Sequence, residues 1–388
     1  MACPMGYEIA SMQRFGFVLI ANPQSRRVAL WQQARARLDL EPARIVSYLD
    51  LLQGRVQLSQ VVRRDDVVRI ESPGRDWEVE RLILHRGVDE VESGFDCFSH
   101  RELDALGFEK GRILASRQWG LGWNRALQLI ENQLGECEPH RLMNATSEIA
   151  TMFDKPRCHE LLLRNGVGVP RSLGEVQSFD GLMARLKEHS CRRVFIKTAH
   201  GSSASGIVAL QLHGAQIHAT TTVEIVRRDS QTLLFNSRRL QVHRNAETIA
   251  HLIDALCRHR VHVEEWLPKA GFSSCTFDLR VVVIENQARH AVVRMSRTPM
   301  TNLHLLNARG DLEALRARVP VEAWIAAMAT CDLAMKCFPH SLCGGVDLMW
   351  TPDWKRHAVL EVNAFGDLLP DVLHRGIDTY EAQLQAVT

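Results

Sequence analysis

The sequence predicts an α/β protein in which a small parallel α/β domain precedes a larger domain of mixed strands and helices. Two observations support this prediction. Residues 15–105 alternate short apolar runs with helical stretches, and from Val194 onward the chain returns to long β-rich runs. A strand, a turn, a helix and a second strand at this pitch are typical of parallel α/β sheets. We expect a first domain over 1–110, a helical connector over 111–145 and a second domain over 146–388.

The composition is that of an ordinary globular protein. The chain has 388 residues, of which 46% are hydrophobic and 24% charged, and its formal net charge is +2. This balanced charge, with only 6% aromatic residues, argues against a nucleic-acid partner. No apolar run approaches the ~20 residues of a membrane span, and the first residues lack a signal-peptide pattern. We therefore expect a cytoplasmic protein with no membrane partner. Its ten scattered cysteines predict free thiols.

In the first domain, two loops are expected at one edge of the sheet. The predicted elements are strands over 17–20, 45–48 and 67–70 and a helix over about 26–38. Ligands of parallel sheets bind beyond the carboxyl ends of the strands. That rule places residues 22–27 and 72–75 at a binding edge, although the same segments could simply form turns. In the connector, Trp119 and Trp123 lie on the apolar face of a helix, where core packing and ligand stacking are both open.

Three segments of the second domain contain residues suited to chemistry. In the first, an apolar strand leads to Lys197, and a Gly/Ser-rich loop follows over 201–206. Backbone amides of such a loop, together with a lysine, suit phosphate oxygens. Because the lysine precedes the loop and no Gly-Lys-Ser/Thr follows, this is not the common nucleotide-binding loop. A plain hairpin loop is the alternative.

A second segment pair combines acidic residues with an amide. One β-run contains Asp347, and the next contains Glu361 and Asn363. Residues two apart on a strand share a face, so Glu361 and Asn363 point the same way. Two carboxylates and an amide oxygen suit Mg²⁺. An edge strand with a solvated polar face is the alternative.

The third segment contains an apolar strand that ends in acidic residues at 264–265, before Trp266 and Leu267. A later strand opens with Asp278-Leu-Arg280. The backbone edge of such a strand end can pair with an adenine, and an aspartate can accept hydrogen bonds from ribose hydroxyls. A surface hinge with an Asp–Arg ion pair is equally compatible with these residues.

The order of these segments resembles the ATP-grasp superfamily. Lys197 with its loop, the Glu-Glu-Trp-Leu string, Asp278-Leu-Arg280, Asn302-Leu-His304, Gly-Val-Asp347 and Glu361-Val-Asn363 follow one another in that superfamily's standard order. The wording is most similar to the branch that ligates amino acids to the C-terminus of ribosomal protein S6. The resemblance covers about residues 144–367. It implies two α+β subdomains that clasp ATP, with a lid subdomain at about 190–265 and a pre-ATP-grasp domain in front.

The resemblance also implies site residues and cofactors. The residues implied to contact ATP are Lys155, Lys197, Gly201, Ser202, Ser203, Gly206, Glu264, Glu265, Trp266, Leu267, Asp278 and Asn302. Among them, 264–267 would form the adenine hinge and Asp278 would bind the ribose. Two Mg²⁺ ions, with Mn²⁺ as a substitute, would be held by Asp347, Glu361 and Asn363. The implied catalytic residues include Arg280, which would contact a phosphate. Because Met300 stands where the S6-ligating branch has an arginine, Arg294 or Arg297 is expected to supply the missing charge at the transferring phosphoryl group.

The implied reaction is the ADP-forming ligation of a carboxylate to an amine or another nucleophile through an acyl phosphate. Ala-Phe-Gly-Asp367 replaces the usual Pro-Gly turn after Asn363, which indicates an acceptor other than a protein C-terminal glutamate. The expected substrates are a small molecule or a peptide. Two alternatives stay open at this point, namely a phosphotransferase on the same fold and a non-catalytic nucleotide-binding module. The sequence also leaves open a homodimer, and a proton-carrying role for His200 or His304.

Overall fold

The computed structural model describes residues 15–74, 76–201, 205–228, 231–365, 369 and 371–387. These residues form one parallel and two antiparallel sheets with helices packed against them. The α/β class predicted from the sequence is therefore confirmed, including the position of the parallel sheet at the start of the chain. No helix within the described ranges is long and apolar enough to cross a lipid bilayer.

The first sheet is parallel, and its strands are β1 (Phe17–Ala21), β2 (Arg44–Ser47), β3 (Val67–Ile70) and β4 (Arg141–Leu142), in the order β2-β1-β3-β4. The helices in this part of the chain are α1 (Arg26–Arg37), α2 (Tyr48–Leu52), α3 (Trp77–Arg86), α4 (His100–Ala105) and α5 (Ser116–Gly135). The strand expected to include Tyr48 ends one residue earlier, because the Ser47 side chain caps α2. Strand β4 comes from the predicted helical connector.

The second sheet is antiparallel and follows α6 (Thr146–Phe153) and α7 (Lys155–Arg164). Its strands are β5 (Ser172–Gly174), β6 (Arg193–Thr198), β7 (Ile207–His213), β8 (Gln216–Arg228), β9 (Gln231–His243) and β10 (Val261–Glu265), in the order β5-β10-β6-β7-β8-β9. Helices α8 (Phe179–Glu188) and α9 (Ala246–Cys257) share one apolar core with it. The predicted lid range of about 190–265 contains β6 to β10, whereas β5 and α8 precede it.

The third sheet is antiparallel, and its strands are β11 (Gly271–Phe272), β12 (Cys275–Ile284), β13 (Gln287–Ser296), β14 (Ala308–Gly310), β15 (Cys343–Trp350) and β16 (His357–Asn363). Its order is β14-β13-β12-β15-β16, with β11 paired to β12. Helices α10 (Leu312–Arg318) and α11 (Val321–Lys336) precede β15, and α12 (Thr379–Gln385) returns to the first sheet. There Tyr380 packs edge-on against Trp31. Helix α12 therefore packs against α1.

The structure decides one question that the sequence left open and confirms one prediction. Trp123 is fully buried and Trp119 packs beside it in the main apolar core, where both contact Phe153. This is core packing and not an exposed stacking platform. The nine cysteines within the described residues are all free, as predicted.

Helix α5 meets the second sheet where Gly120 packs against His200. A Cβ built at Gly120 would overlap the imidazole ring of His200, whereas a Cβ at Gly135 in the same helix would meet nothing within 4 Å. We expect Gly120→Ala to destabilise the protein by about 1–3 kcal/mol through overpacking. Gly135→Ala should instead be neutral or stabilise it by up to about 1 kcal/mol, because alanine favours the helix. Urea unfolding of the two variants measures the difference, and equal effects would contradict this packing.

Candidate active site

A cleft of about 450 Å³ opens between the second and third sheets. Strands β6 and β10 contribute one wall, strands β12, β13, β15 and β16 contribute the floor, and the start of α1 closes one end. This volume lies within the range of ligand-binding pockets.

The floor of the cleft is a charged patch set by strand register. Arg280 on β12 lies opposite Asp347 on β15, and Asp347 lies opposite Glu361 on β16. On the other side of β12, Asp278 lies opposite Arg294 of β13. Residues that are opposite in register, or two apart on one strand, share a face of the sheet. The fold therefore brings these five side chains, each of them predicted from the sequence, to one surface.

Four of these side chains form a buried ion network. Nε of Arg280 donates to Oδ1 of Asp347. Arg294 joins both acids, since its Nε is 2.7 Å from Oδ1 of Asp278 and its Nη2 is 3.0 Å from Oδ2 of Asp347. Burial alone would raise the pKa of both carboxyls, but their cationic neighbours hold each pKa below its ordinary value. Both acids are therefore charged at neutral pH.

Lys269 completes the network, although no motif in the sequence marks this residue. Its Nζ is 2.7 Å from Oδ2 of Asp278 and 2.7 Å from Oγ1 of Thr301, and its side chain is only 8% exposed. Burial lowers the pKa of Lys269 below its ordinary value, although Asp278 opposes this shift. Both oxygens of Asp278 thus accept hydrogen bonds from the protein. Its predicted ribose contact stays a prediction.

On the opposite wall, Lys197 and Lys155 face the same space. Lys197 on β6 forms an ion pair with buried Glu264 of β10. Burial lowers the pKa of Lys197, but Glu264 and Glu361 outweigh this effect and raise it above its ordinary value. Lys155 begins α7, and its Nζ lies 3.3 Å from Oε1 of Glu361 and donates to the carbonyl of Gly201. Two ammonium groups therefore face the cleft, and that of Lys155 contacts an acid of the floor directly.

The predicted phosphate loop is described in part. Gly201 lines the cleft, and Gly206 lies at the far end of the loop with a φ of 68°. Ser202 and Ser203 lie outside the described residues. A Cβ at Gly201 would overlap Oγ1 of Thr198. The backbone therefore passes Thr198 too closely for a side chain at this position, which accounts for the glycine.

Three of the four predicted hinge residues line the cleft, namely Glu264, Glu265 and Leu267. Trp266 is not among the lining residues, because it packs against Phe195 with ring centroids 5.4 Å apart. The backbone amides of Glu265 and Trp266 donate to carbonyls of neighbouring segments at 2.8 and 3.0 Å. A base in this part of the cleft would therefore meet side chains and the backbone near Leu267, and not the indole ring.

The predicted metal ligands are adjacent and fit a hard cation. Asp347, Glu361 and Asn363 all line the cleft. The end of their strands is held by Asn144, whose Nδ2 is 2.8 Å from the carbonyls of both Cys343 and Ala364. Nowhere in the described ranges do three His, Cys, Asp or Glu side chains form a metal cluster. The donor set is therefore two carboxylates and an amide oxygen, a chemistry that suits Mg²⁺ completed by phosphate and water oxygens.

The structure separates the other predicted residues. Asn302 lines the cleft, and its side chain accepts a hydrogen bond from the amide of His304, which also lines it. Arg297 lies just beyond the end of β13, is exposed and is not among the lining residues. The structure therefore does not bring Arg297 to the site, and of the two candidates for the transferring phosphoryl group only Arg294 is in place.

Residues that follow two strands of the first sheet reach the cleft. Arg26, Arg27 and Ser72 all line it, whereas Arg75 lies outside the described residues. Nη1 of Arg27 donates to the carbonyl of Phe365 at 3.0 Å. The start of α1 is thereby fixed next to the strand end that contains Asn363.

His200 lies behind the cleft and is not one of its lining residues. Its Nε2 is 3.2 Å from Nη1 of Arg117, 3.5 Å from Nη1 of Arg260 and 3.9 Å from Oδ2 of Asp154. Burial lowers the pKa of His200 to about 4, although Asp154 opposes the shift. The ring is therefore neutral at pH 7 and serves to pack the end of β6 against α5.

This lowered pKa predicts sensitivity to acid. The ordinary pKa of 6.5 applies to the unfolded chain, so the unfolded state binds the proton more tightly than the folded state between pH 6.5 and about 4. The stability that His200 contributes is therefore complete above pH 6.5 and is lost as the pH falls through this window. We expect His200→Gln to remove up to about 1.4 kcal/mol per pH unit of this dependence. Urea unfolding at pH 7.5, 6 and 5 tests it, and parallel curves for both proteins would contradict it.

Comparisons with known proteins show the fold. No protein-family model matches the sequence, and no curated protein sequence matches it significantly. Among solved structures, 96% of the chain aligns with 98% of the ATP-grasp ligase PsnB complexed with minimal precursor, at 15% identity and a TM-score of 0.51. It also aligns with 99% of the macrocyclase MdnC bound with precursor peptide MdnA from Microcystis aeruginosa MRC, at 12% identity and a TM-score of 0.53.

A third similar structure is the ADP complex of purK, an N5-carboxyaminoimidazole ribonucleotide synthetase. There 96% of this chain covers 76% of that one, at 14% identity and a TM-score of 0.56. At such low identities the likeness concerns the fold. The chain therefore has the ATP-grasp fold, as the order of its segments predicted. Within that fold, its solved neighbours include a ligase, a macrocyclase bound with a precursor peptide and a ribonucleotide synthetase.

Proposed function

We propose that the protein is an ATP-dependent ligase that joins a carboxylate to an amine or another nucleophile and releases ADP and phosphate. One observation carries this proposal: in an ATP-grasp fold, strand register gathers Arg280, Arg294, Asp347 and Glu361 on the floor of a cleft whose opposite wall contains Lys197. The solved neighbours support it, since a ligase, a macrocyclase and a synthetase are among them.

The charge of the cleft suits a polyphosphate. Its described lining includes eight cationic side chains, namely Arg26, Arg27, Lys155, Lys197, Lys269, Arg280, Arg294 and Arg309. It includes five acids, namely Glu264, Glu265, Asp278, Asp347 and Glu361. The difference of eight and five is an excess of three positive charges in a site walled by protein, where fields are focused. We place the nucleotide between Lys197 and the floor, with its base near Leu267.

Asp347, Glu361 and Asn363 are the residues that would hold Mg²⁺, and we propose two ions with Mn²⁺ as a functional substitute. When bound, the metal supplies neutralisation of the phosphate charge. Arg280 and Arg294 add fixed guanidinium groups at the same place. Because Asp278 and Asp347 already orient both arginines, these groups need no rearrangement when charge develops on the transferring phosphoryl group.

The proposed reaction has two steps. A substrate carboxylate oxygen attacks the γ-phosphorus of ATP, the bond to the β–γ bridging oxygen breaks, and ADP leaves with that electron pair. The acyl phosphate is then attacked at its carbonyl carbon by an amine or another nucleophile, and phosphate leaves as the nucleophile loses its proton. We place the carboxylate substrate at the end of the cleft with Arg26, Arg27 and Ser72, because a guanidinium matches a carboxylate.

We propose that the substrate is a small molecule or a peptide. The similar structures include one protein of each kind, since MdnC is bound with a precursor peptide and purK is a synthetase of a ribonucleotide.

Product analysis tests this proposal. The protein would be incubated with ATP, Mg²⁺ and pools of amino acids, small peptides and cell extract, with Glu361→Gln as the inactive control. Mass spectrometry should find ADP, phosphate and a condensation product lighter than its parts by one water. ADP with a phosphorylated metabolite would instead indicate a kinase. AMP would contradict the acyl-phosphate mechanism.

A further inference from the structure

The outward face of α11 is apolar and exposed. Val321 is 66% exposed, Ile325 is 62% exposed and Leu333 is 38% exposed. With exposed Ala329 these residues repeat every four positions, so they form one stripe along the helix. Large aliphatic side chains in a row on a surface, unlike single exposed ones, mark a contact with another macromolecule.

The other face of α11 is fully occupied. Ala327, Cys331, Ala334 and Met335 are buried in the main core, where the helix packs on β13, β15 and β16. A helix that is apolar on both faces is normally enclosed on both. Alternate residues of a strand point to opposite faces of the sheet. Asp347 and Glu361 line the cleft on one face, whereas Val346 and Val362 lie in the apolar core on the other. The stripe therefore lies behind the third sheet, away from the active site.

The charges at the ends of the stripe match those of a second copy of the same helix. Glu322 and Lys336 are both exposed, and each lies seven positions from Ala329. When two copies of this helix cross antiparallel at Ala329, Glu322 of one copy lies beside Lys336 of the partner subunit. By the same symmetry Ile325 meets Leu333 of the partner subunit. Such a patch is complementary to itself, which is the requirement for a two-fold contact.

We infer that α11 is the contact of a two-fold homodimer, in which the stripe Val321–Ile325–Ala329–Leu333 packs against its own copy. The alanine at the axis permits close approach of the two helices. A 16-residue helix is about 24 Å long, so one helix pair alone buries less than the roughly 1,200 Å² of a standard interface. We therefore expect a weak, reversible dimer.

Sedimentation velocity on the full chain, from about 1 µM to about 200 µM, tests this contact. The wild type should pass from monomer to dimer across this range, and Leu333→Glu should stay monomeric. Leu163→Glu is the matched control, because Leu163 is an exposed leucine on α7, and it should associate like the wild type. A wild-type chain that is monomeric at the highest concentration would overturn the inference, as would a Leu333→Glu chain that still dimerises.

Charge reversal gives a second test that does not depend on the fold of one variant. Glu322→Lys and Lys336→Glu should each weaken the homodimer by about tenfold or more, since both replace two ion pairs with like-charge contacts. An equimolar mixture of the two variants restores both pairs in a heterodimer and should associate as tightly as the wild type. A mixture no tighter than either variant alone would overturn the antiparallel arrangement.

Discussion

Replacing Glu361 by glutamine should lower ATP-dependent turnover at least ~1000-fold while the protein stays folded. Glu361 lies on the cleft floor opposite Asp347, its Oε1 is 3.3 Å from Nζ of Lys155, and its side chain is 31% exposed. The substitution removes one negative charge and almost no volume. Lys155 keeps its hydrogen bond to the carbonyl of Gly201, so the stability should change by less than about 1 kcal/mol. Steady-state release of ADP measures the loss.

The matched control is Glu285→Gln at the turn between β12 and β13. Glu285 forms an ion pair with Arg289, and its side chain is 47% exposed. It lies at the opposite end of β12 from the cleft residues. This variant should retain wild-type turnover. Near-normal activity of Glu361→Gln would show that the proposed metal ligands are wrong.

Replacing Arg294 by glutamine should both destabilise the protein and abolish turnover. The change leaves the buried carboxylates of Asp278 and Asp347 without the cation that joins them, and breaking a buried pair in this way costs about 3–5 kcal/mol. The pKa of both acids should rise relative to the wild type, although Lys269 still pairs with Asp278 and Arg280 still pairs with Asp347. Urea unfolding and ADP release measure the two effects.

The control for this prediction is three residues away. Arg297→Gln removes an exposed guanidinium at the end of the same strand, outside the cleft, and should change stability by less than about 0.5 kcal/mol and leave turnover intact. If the two arginine variants behaved alike, the assignment of Arg294 to the site would be wrong.

The sequence predicted those parts of the molecule that depend on local pattern. Apolar runs located β1, β3, β6, β12 and β16, and the order of the charged motifs predicted the ATP-grasp fold that the structural comparison shows. Glu361 and Asn363 could be placed on one face from their spacing alone, because a strand alternates its side chains. The outcome agrees with that rule, since both line the cleft.

The features of the site that the sequence did not predict depend on contacts between elements that are distant in sequence. Lys269 stands in a loop without any motif, and only the buried Asp278 and Thr301 beside it show its place in the site. Arg294 and Arg297 are alike in sequence, yet β13 ends at Ser296, so only the first points into the cleft. Trp266 sits inside the hinge string but packs on Phe195, a contact set by the pairing of β6 with β10.

Nucleotide binding tests the central claim most directly, because it needs no knowledge of the substrate. Calorimetric titration with a non-hydrolysable ATP analogue should show binding that depends on Mg²⁺. Lys197→Met should weaken that binding about 10- to 100-fold, because a charged hydrogen bond in a buried site contributes about 1.5–3 kcal/mol. Lys187→Met, at an exposed lysine of α8, should not change it. Absence of binding, or equal affinity for the wild type and Lys197→Met, would contradict the assignment of this cleft to ATP.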